Sequence, residues 1–184
     1  RLRGLLPQVE VAVLGGLLPG TAPIFLRDRL IPVLNDLGQV ERWRAETEKA
    51  GQAAPAILHV DTGMNRLGLD PAEAGMLAAD PALLDGIEIT YVMTHMACAD
   101  EPAHPLNAAQ LARFRAALAA VRGAAPGVKG SLAASSAIFL GPDYHFGLVR
   151  PGAALYGVNP TPGTPNPMRQ AVRLEGRVLQ VRHV

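Results

Sequence analysis

Leu58-His59-Val60-Asp61-Thr62-Gly63-Met64-Asn65-Arg66-Leu67-Gly68 runs from an apolar segment into a polar, glycine-bearing turn. An apolar run with β-branched residues delivers a tight polar turn, Gly63 lets the backbone bend where a side chain would obstruct it, and Arg66 emerges beyond it. A strand presents a fixed cation at its carboxyl end in this way. On spacing alone, an ordinary turn with a solvated arginine reads equally well, so the neighbouring segments carry the choice.

Working outward, Val9 to Leu14 is a short strand closed by Gly15-Gly16, Ile31 to Leu34 a second, and Ala56 to Val60 the third that leads into the opening stretch. Ile87 to Thr94 reads as a fourth strand ending at His95, Val128 to Ala134 as a fifth and Phe146 to Val149 as a sixth. Helices are expected between them: Pro23 to Leu30, then a helix capped by Asn35 or Asp36 with Leu37, Val40 and Trp43 on one face, then Pro71 to Ala79. The strongest helical period is Leu111, Phe114, Leu118 and Val121, with Asn107 and Gln110 at capping-box spacing before it. Strand and helix alternate, and the apolar runs show little two-residue alternation, as expected when both faces of a parallel sheet are covered. About six such units fit an incomplete α/β barrel better than a doubly wound sheet, although alternation alone does not decide it. Arg66, His95, Ser135, Ser136 and Arg150 all fall at carboxyl ends of expected strands, the catalytic face of such barrels.

The 184 residues suffice for one domain with a sizeable core but not for a whole eight-stranded barrel of about 250 residues. A formal net charge of +1, with no basic run interleaved with aromatics, argues against nucleic acid. The lone cysteine, Cys98, excludes an internal disulfide and fits a reducing compartment. No apolar stretch is long enough for a membrane-spanning helix and no signal-peptide pattern opens the chain, so a cytoplasmic location is expected. Nucleotide-binding glycine motifs and zinc patterns are lacking; His95 and Cys98 have a two-residue gap without a second pair. Asn159 to Met168 carries four prolines, a linker composition, and beyond it Val172 and Leu174 alternate with Arg173 and Glu175. The expected division is therefore a barrel over 1–160 and, over 161–184, a linker with the first strands of a second, β-rich domain.

The opening stretch resembles a signature that follows a barrel strand in bacterial alanine racemases. Tyr91-Val92-Met93-Thr94-His95-Met96-Ala97-Cys98-Ala99-Asp100-Glu101, Ala134-Ser135-Ser136-Ala137 and Leu148-Val149-Arg150-Pro151-Gly152-Ala153-Ala154-Leu155-Tyr156-Gly157 resemble three further segments of that family, in its order. The resemblance implies pyridoxal 5'-phosphate as cofactor, alanine as substrate, a homodimeric parent and D-alanine supply to the cell wall. It implies that Ser136, Gly152 and Ala153 hold the cofactor's phosphate, with Ser135 also among the cofactor-binding residues and Leu14 against the ring. It further implies that Arg150 faces the pyridine nitrogen, that His95 lies between Arg150 and a tyrosine of the partner subunit, and that Arg66 meets the cofactor's phenolic oxygen and the substrate carboxylate. Hydroxyls and free N–H groups suit a phosphate, and a guanidinium, which has no acceptor, keeps the facing ring nitrogen unprotonated.

Two positions depart from the family. His59 stands where many members carry a lysine, often carbamylated, that anchors the arginine corresponding to Arg66; Ser135 replaces an asparagine. The family's cofactor lysine segment is lacking, because the only lysines, Lys49 and Lys129, have the wrong surroundings. The chain therefore reads as an internal fragment without the cofactor lysine or the catalytic tyrosine, and inactive alone. The alternatives are a barrel that binds pyridoxal phosphate without catalysis, a racemase of broader substrate range, and a truncated interaction remnant.

Overall fold

In the computed structural model, which describes residues 1–183, five strands make one sheet: β1 (Val11–Val13), β2 (Leu30–Leu34), β3 (Ala54–His59), β4 (Ile87–Met93) and β5 (Lys129–Ser131). All pairings are parallel, and neighbours in space are neighbours in sequence, β1 to β5 in order. A doubly wound sheet needs a reversal of strand order where its halves meet. None occurs among the described strands, so the sheet is an arc of a barrel: a partial TIM-type half-barrel.

Helices α1 (Leu2–Leu5), α2 (Ala22–Arg27), α3 (Leu37–Ala50), α4 (Pro71–Ala79) and α5 (Pro105–Ala124) precede or connect the strands, and two short turns of helix, α6 (Ser135–Ile138) and α7 (Gly152–Leu155), follow β5. Helix α3 begins at Asp36, whose carboxylate accepts from Gln39 N at 2.7 Å, and stops at Gly51 in the left-handed region. Helix α4 has a full capping box between Asp70 and Glu73. The main core lies between sheet and helices, where Leu34, Leu58 and Val92 meet Val40, Trp43, Leu111, Phe114 and Leu118. Val33, Ile57 and Met93 form a smaller cluster with Ile31 and Tyr91. Alternate residues of β2 therefore enter different clusters, as a strand covered on both faces requires.

Two expectations need correction. The sixth strand, Phe146 to Val149, does not form. Phe146 adopts φ of +52° while its ring packs edge-on against Phe114 at 4.9 Å, and the Ser131 hydroxyl takes the Leu148 carbonyl at 2.9 Å. Of that pairing there remain a bond from Gly147 N–H to Gly130 O at 3.0 Å and a bridge between Ala134 and Arg150. Secondly, Asn107 and Gln110 do not cap α5. His104 is the cap, accepting from Leu106 N, with Pro105 in the first turn, and both amides are buried inside the helix. Residues 171–183, where the first strands of a second domain are expected, are irregular and exposed, and Val184 lies outside the described residues. A lone strand has no ladder to satisfy its N–H and C=O groups, so an alternating pattern without a neighbour stays irregular.

Candidate active site

A cleft of about 540 Å³ opens beyond the carboxyl ends of β1, β4 and β5. Its lining brings together Leu14, His95, Ser135, Ser136, Arg150, Gly152 and Ala153, all the expected site residues except Arg66. This volume lies within the range of about 300–1,000 Å³ usual for small-molecule sites. Another cavity, of about 390 Å³, sits at the opposite end of the sheet among Phe25, Trp43 and Pro55 and holds none of them.

Arg150 is locked into the wall. Nη1 donates to Ser131 Oγ at 2.6 Å, and Nη2 donates to the carbonyls of Thr94 at 2.7 Å and Leu132 at 3.2 Å. Its own N–H donates to Ala133 O, tying the segment back to β5. Burial pushes the guanidinium down to about 10, which still leaves it charged at neutral pH. Among the described residues no carboxylate lies within ion-pair distance of Arg150. Arg150 therefore brings a fixed positive charge without a paired carboxylate to the cleft, whose lining also includes Asp100.

His95 is half-buried, and among the described residues its ring meets no hydrogen-bond partner. Burial, then the Arg150 and Arg66 guanidiniums, pushes its imidazole down to about 4. His59 is buried at the end of β3, and its Nδ1 lies 2.6 Å from Asn35 Oδ1. Because the Asn35 amide nitrogen donates to Val33 O, its oxygen faces the ring, and the proton of His59 sits on Nδ1. Burial and then Arg150 and His95 push His59 to about 4 as well. Both imidazoles are neutral at pH 7, so any relay through His95 begins from the uncharged ring.

The opening stretch folds into a closed loop. Val60 bridges Leu69, Asp61 N donates to Leu69 O, and Leu69 N donates to His59 O. One Asp61 oxygen accepts from the N–H groups of Gly63, Met64 and Asn65, which fixes the turn that Gly63 makes at φ of +131°. Arg66 is exposed, lies outside the cleft lining, and makes no hydrogen bond or ion pair among the described residues.

Ser135 and Ser136 differ in role. Ser135 is buried and its hydroxyl accepts from Ala154 N at 3.1 Å, joining α6 to α7. Ser136 is half-buried, and its hydroxyl has no protein partner among the described residues. Gly152 N–H donates to Arg150 O at 2.8 Å, while Ala153 N–H meets no acceptor outside its helix, and a Cβ on Gly152 would find nothing within 4 Å. The donors open to an anion are thus the Ser136 hydroxyl and the Ala153 N–H, with Gly152 leaving room for close approach. Lys49 is exposed on α3 and Lys129 is exposed at the start of β5, so neither lysine lines the cleft.

Several residues that shape the site escaped the sequence reading. Met96, Asp100, Asn159 and Pro162 also line the cleft. Asn35 and Gln110 are buried amides that hold its parts. A usable signal existed for Gln110, because it lies on the same helical face as Leu111 and Phe114, where a polar side chain demands a partner.

A family model described as "Alanine racemase, N-terminal domain" matches residues 1–160. An alanine racemase of Rhodospirillum rubrum is 54% identical over 181 residues, which cover 98% of this chain and 47% of that protein. A catabolic alanine racemase of Mesorhizobium japonicum is 50% identical, covering 95% of this chain and 45% of that one. Among solved structures, an alanine racemase of Bartonella henselae with covalently bound pyridoxal phosphate superposes with a TM-score of 0.85 at 39% identity, over 92% of this chain and 48% of that one. The chain spans about half the length of the relatives it matches.

Proposed function

This chain belongs to the alanine racemase N-terminal-domain family, and on that premise we propose that its parent interconverts L- and D-alanine with pyridoxal 5'-phosphate held in the cleft described above. One observation carries the proposal: a single cleft joins Leu14, His95, Ser136, Arg150 and Ala153 from distant parts of the chain. The donor set fits the cofactor. Ser136 hydroxyl and Ala153 N–H suit its phosphate, the charged Arg150 suits an unprotonated ring nitrogen, and Leu14 offers an apolar wall. Bound there, pyridoxal phosphate supplies the electron sink that acidifies the α-proton of an amino acid.

The residues of this chain position and exclude rather than carry protons. Arg150 keeps its Nε–H and one Nη1–H free for the cleft, and a guanidinium that stays charged cannot give up a proton at neutral pH. His95, uncharged beside it, presents one donor and one acceptor. Racemisation needs a base on each face of the α-carbon. Neither lysine reaches the cleft, so both bases are assigned to parts of the parent outside these residues, and the 184-residue chain alone is expected not to turn over. The exposed Arg66 is assigned the substrate carboxylate once a ligand draws it inward.

Family membership also supports a homodimeric, cytoplasmic parent that supplies D-alanine to peptidoglycan, and a second, β-rich domain beginning after a linker at 161. The test is racemisation by the complete parent polypeptide, assayed on alanine beside lysine, arginine and serine. A kcat/KM for alanine well above the others supports the reading. Equal turnover of all four replaces it with a broad-specificity racemase.

A further inference from the structure

Gln110 is fully buried on the inner face of α5 and does not itself line the cleft. Its carboxamide is nonetheless saturated by the loops that frame the cleft. Nε2 donates to His95 O at 3.0 Å and to Thr62 Oγ1 at 3.1 Å, while Oε1 accepts from Ala97 N at 2.9 Å. Thr62 Oγ1 in turn lies 2.8 Å from Thr94 Oγ1, and Arg113 Nη1, one turn further along α5, donates to Thr62 O at 2.9 Å. One amide therefore ties the loop after β3, which carries Arg66, to the loop after β4, which carries His95.

We infer that Gln110 is a positioning residue of the site, setting where the His95 imidazole sits relative to Arg150 by holding the backbone on both sides of Met96. The chemistry selects an amide. Two donor directions and one acceptor are required at once in a dry interior, and only Asn or Gln supplies both kinds. A carboxylate cannot donate to His95 O, and an apolar side chain of equal length leaves His95 O and Ala97 N without partners. Leu106, Gln110 and Arg113 also close over Gly63, where a Cβ would come within 2.9 Å of Arg113 Nη1. The α5 face and the turn after β3 are thus fitted to each other at a point where a side chain is excluded.

This inference rests on His95 belonging to the proposed site, so its test leaves out the cofactor and does not depend on cofactor binding. The imidazole of His95 is titrated by NMR in the chain as it stands, in Gln110→Met, and in Thr47→Val. Thr47 is equally buried, its hydroxyl bonds within α3 to Arg44 O, and it serves as a control for lost buried hydrogen bonding. The charged and titratable groups around His95 are Arg150, Arg66 and His59, and none of them changes. Gln110→Met is expected to raise the His95 midpoint by one unit or more from about 4, toward the ordinary 6.5, and to speed exchange of the Ala97 amide at least tenfold. Thr47→Val is expected to move neither, at whatever loss of Tm it shows. An unmoved His95 midpoint in Gln110→Met, or an equal movement in Thr47→Val, overturns the inference. If Gln110→Met does not fold, Gln110→Asn, which keeps the amide but shortens its reach to His95 O and Ala97 N, is read in its place. A rise smaller than one unit but outside error supports the inference, and none overturns it.

Discussion

The His59 ring donates from Nδ1 to Asn35 Oδ1 at 2.6 Å, joining the ends of β3 and β2 through two buried side chains. The pair makes the position uncharged, because burial and the nearby Arg150 keep the imidazole neutral down to about pH 4.

A pH dependence of stability follows. Folded His59 and His95 both titrate near 4, whereas an unfolded histidine titrates near 6.5. Between those values the unfolded chain binds protons that the folded one refuses, so stability from these groups is complete above about 6.5 and is lost as pH falls toward 4. Thermal melts from pH 7.5 to 4 are expected to show Tm falling across that window. A Tm that stays level or rises contradicts the assignment.

Replacing Asn35 by Leu orphans the His59 Nδ1–H, a loss of about 1–3 kcal/mol for a buried donor. At this chain length that corresponds to roughly 3–10 °C in Tm. The ¹⁵N shifts of His59 are expected to report a switch toward the Nε2–H form, and an unchanged tautomer would show that Asn35 does not set it.

The two serines should separate. Ser135→Ala removes the acceptor for Ala154 N and is expected to cost about 1 kcal/mol of stability. Ser136→Ala removes a hydroxyl without a protein partner, so Tm should hold while affinity for pyridoxal phosphate falls about tenfold and that for pyridoxal changes little. A loss of Tm in Ser136→Ala with unaltered phosphate discrimination would reverse these roles.

Gly68 lies at φ of +107°, and a Cβ there would come within 2.8 Å of Asp61 N and 2.9 Å of Val60 C. Backbone atoms cannot yield as a flexible side chain can, so Gly68→Ala is expected to cost more than about 2 kcal/mol in denaturant unfolding. A cost under ~0.5 kcal/mol would show that the loop from Val60 to Leu69 opens freely.

Strands β1 to β4 were legible because each lies in an apolar run closed by Gly, Pro or a polar turn, whereas β5 is Lys129-Gly130-Ser131 and was marked only by the apolar residues flanking it, Val128 and Leu132 to Ala134. Phe146 to Val149 misled for the same reason: the run is apolar, but Phe146 serves the Phe114 ring rather than a ladder. Cleft residues from Leu14 to Ala153 were legible by resemblance, since motif order survives without coordinates. Partnerships were not. Nothing in the spacing of Ser135 and Ser136 says that one hydroxyl is spent on Ala154 N, or that Gly152 N–H turns back to Arg150 O. The exposure of Arg66 was equally hidden, since motif order does not report which side chains turn toward the cleft.

The central claim is that the cleft around Arg150 takes pyridoxal phosphate while the chain supplies no lysine to it. The measurement is titration of the purified chain and of Arg150→Ala with pyridoxal phosphate, followed by borohydride reduction, mass mapping of adducts and an assay for D-alanine. Saturable binding that weakens at least tenfold in Arg150→Ala, without a specific adduct on Lys49 or Lys129 and without turnover, is the predicted result. A specific adduct on either lysine accompanied by D-alanine formation, or binding indifferent to Arg150, would contradict it.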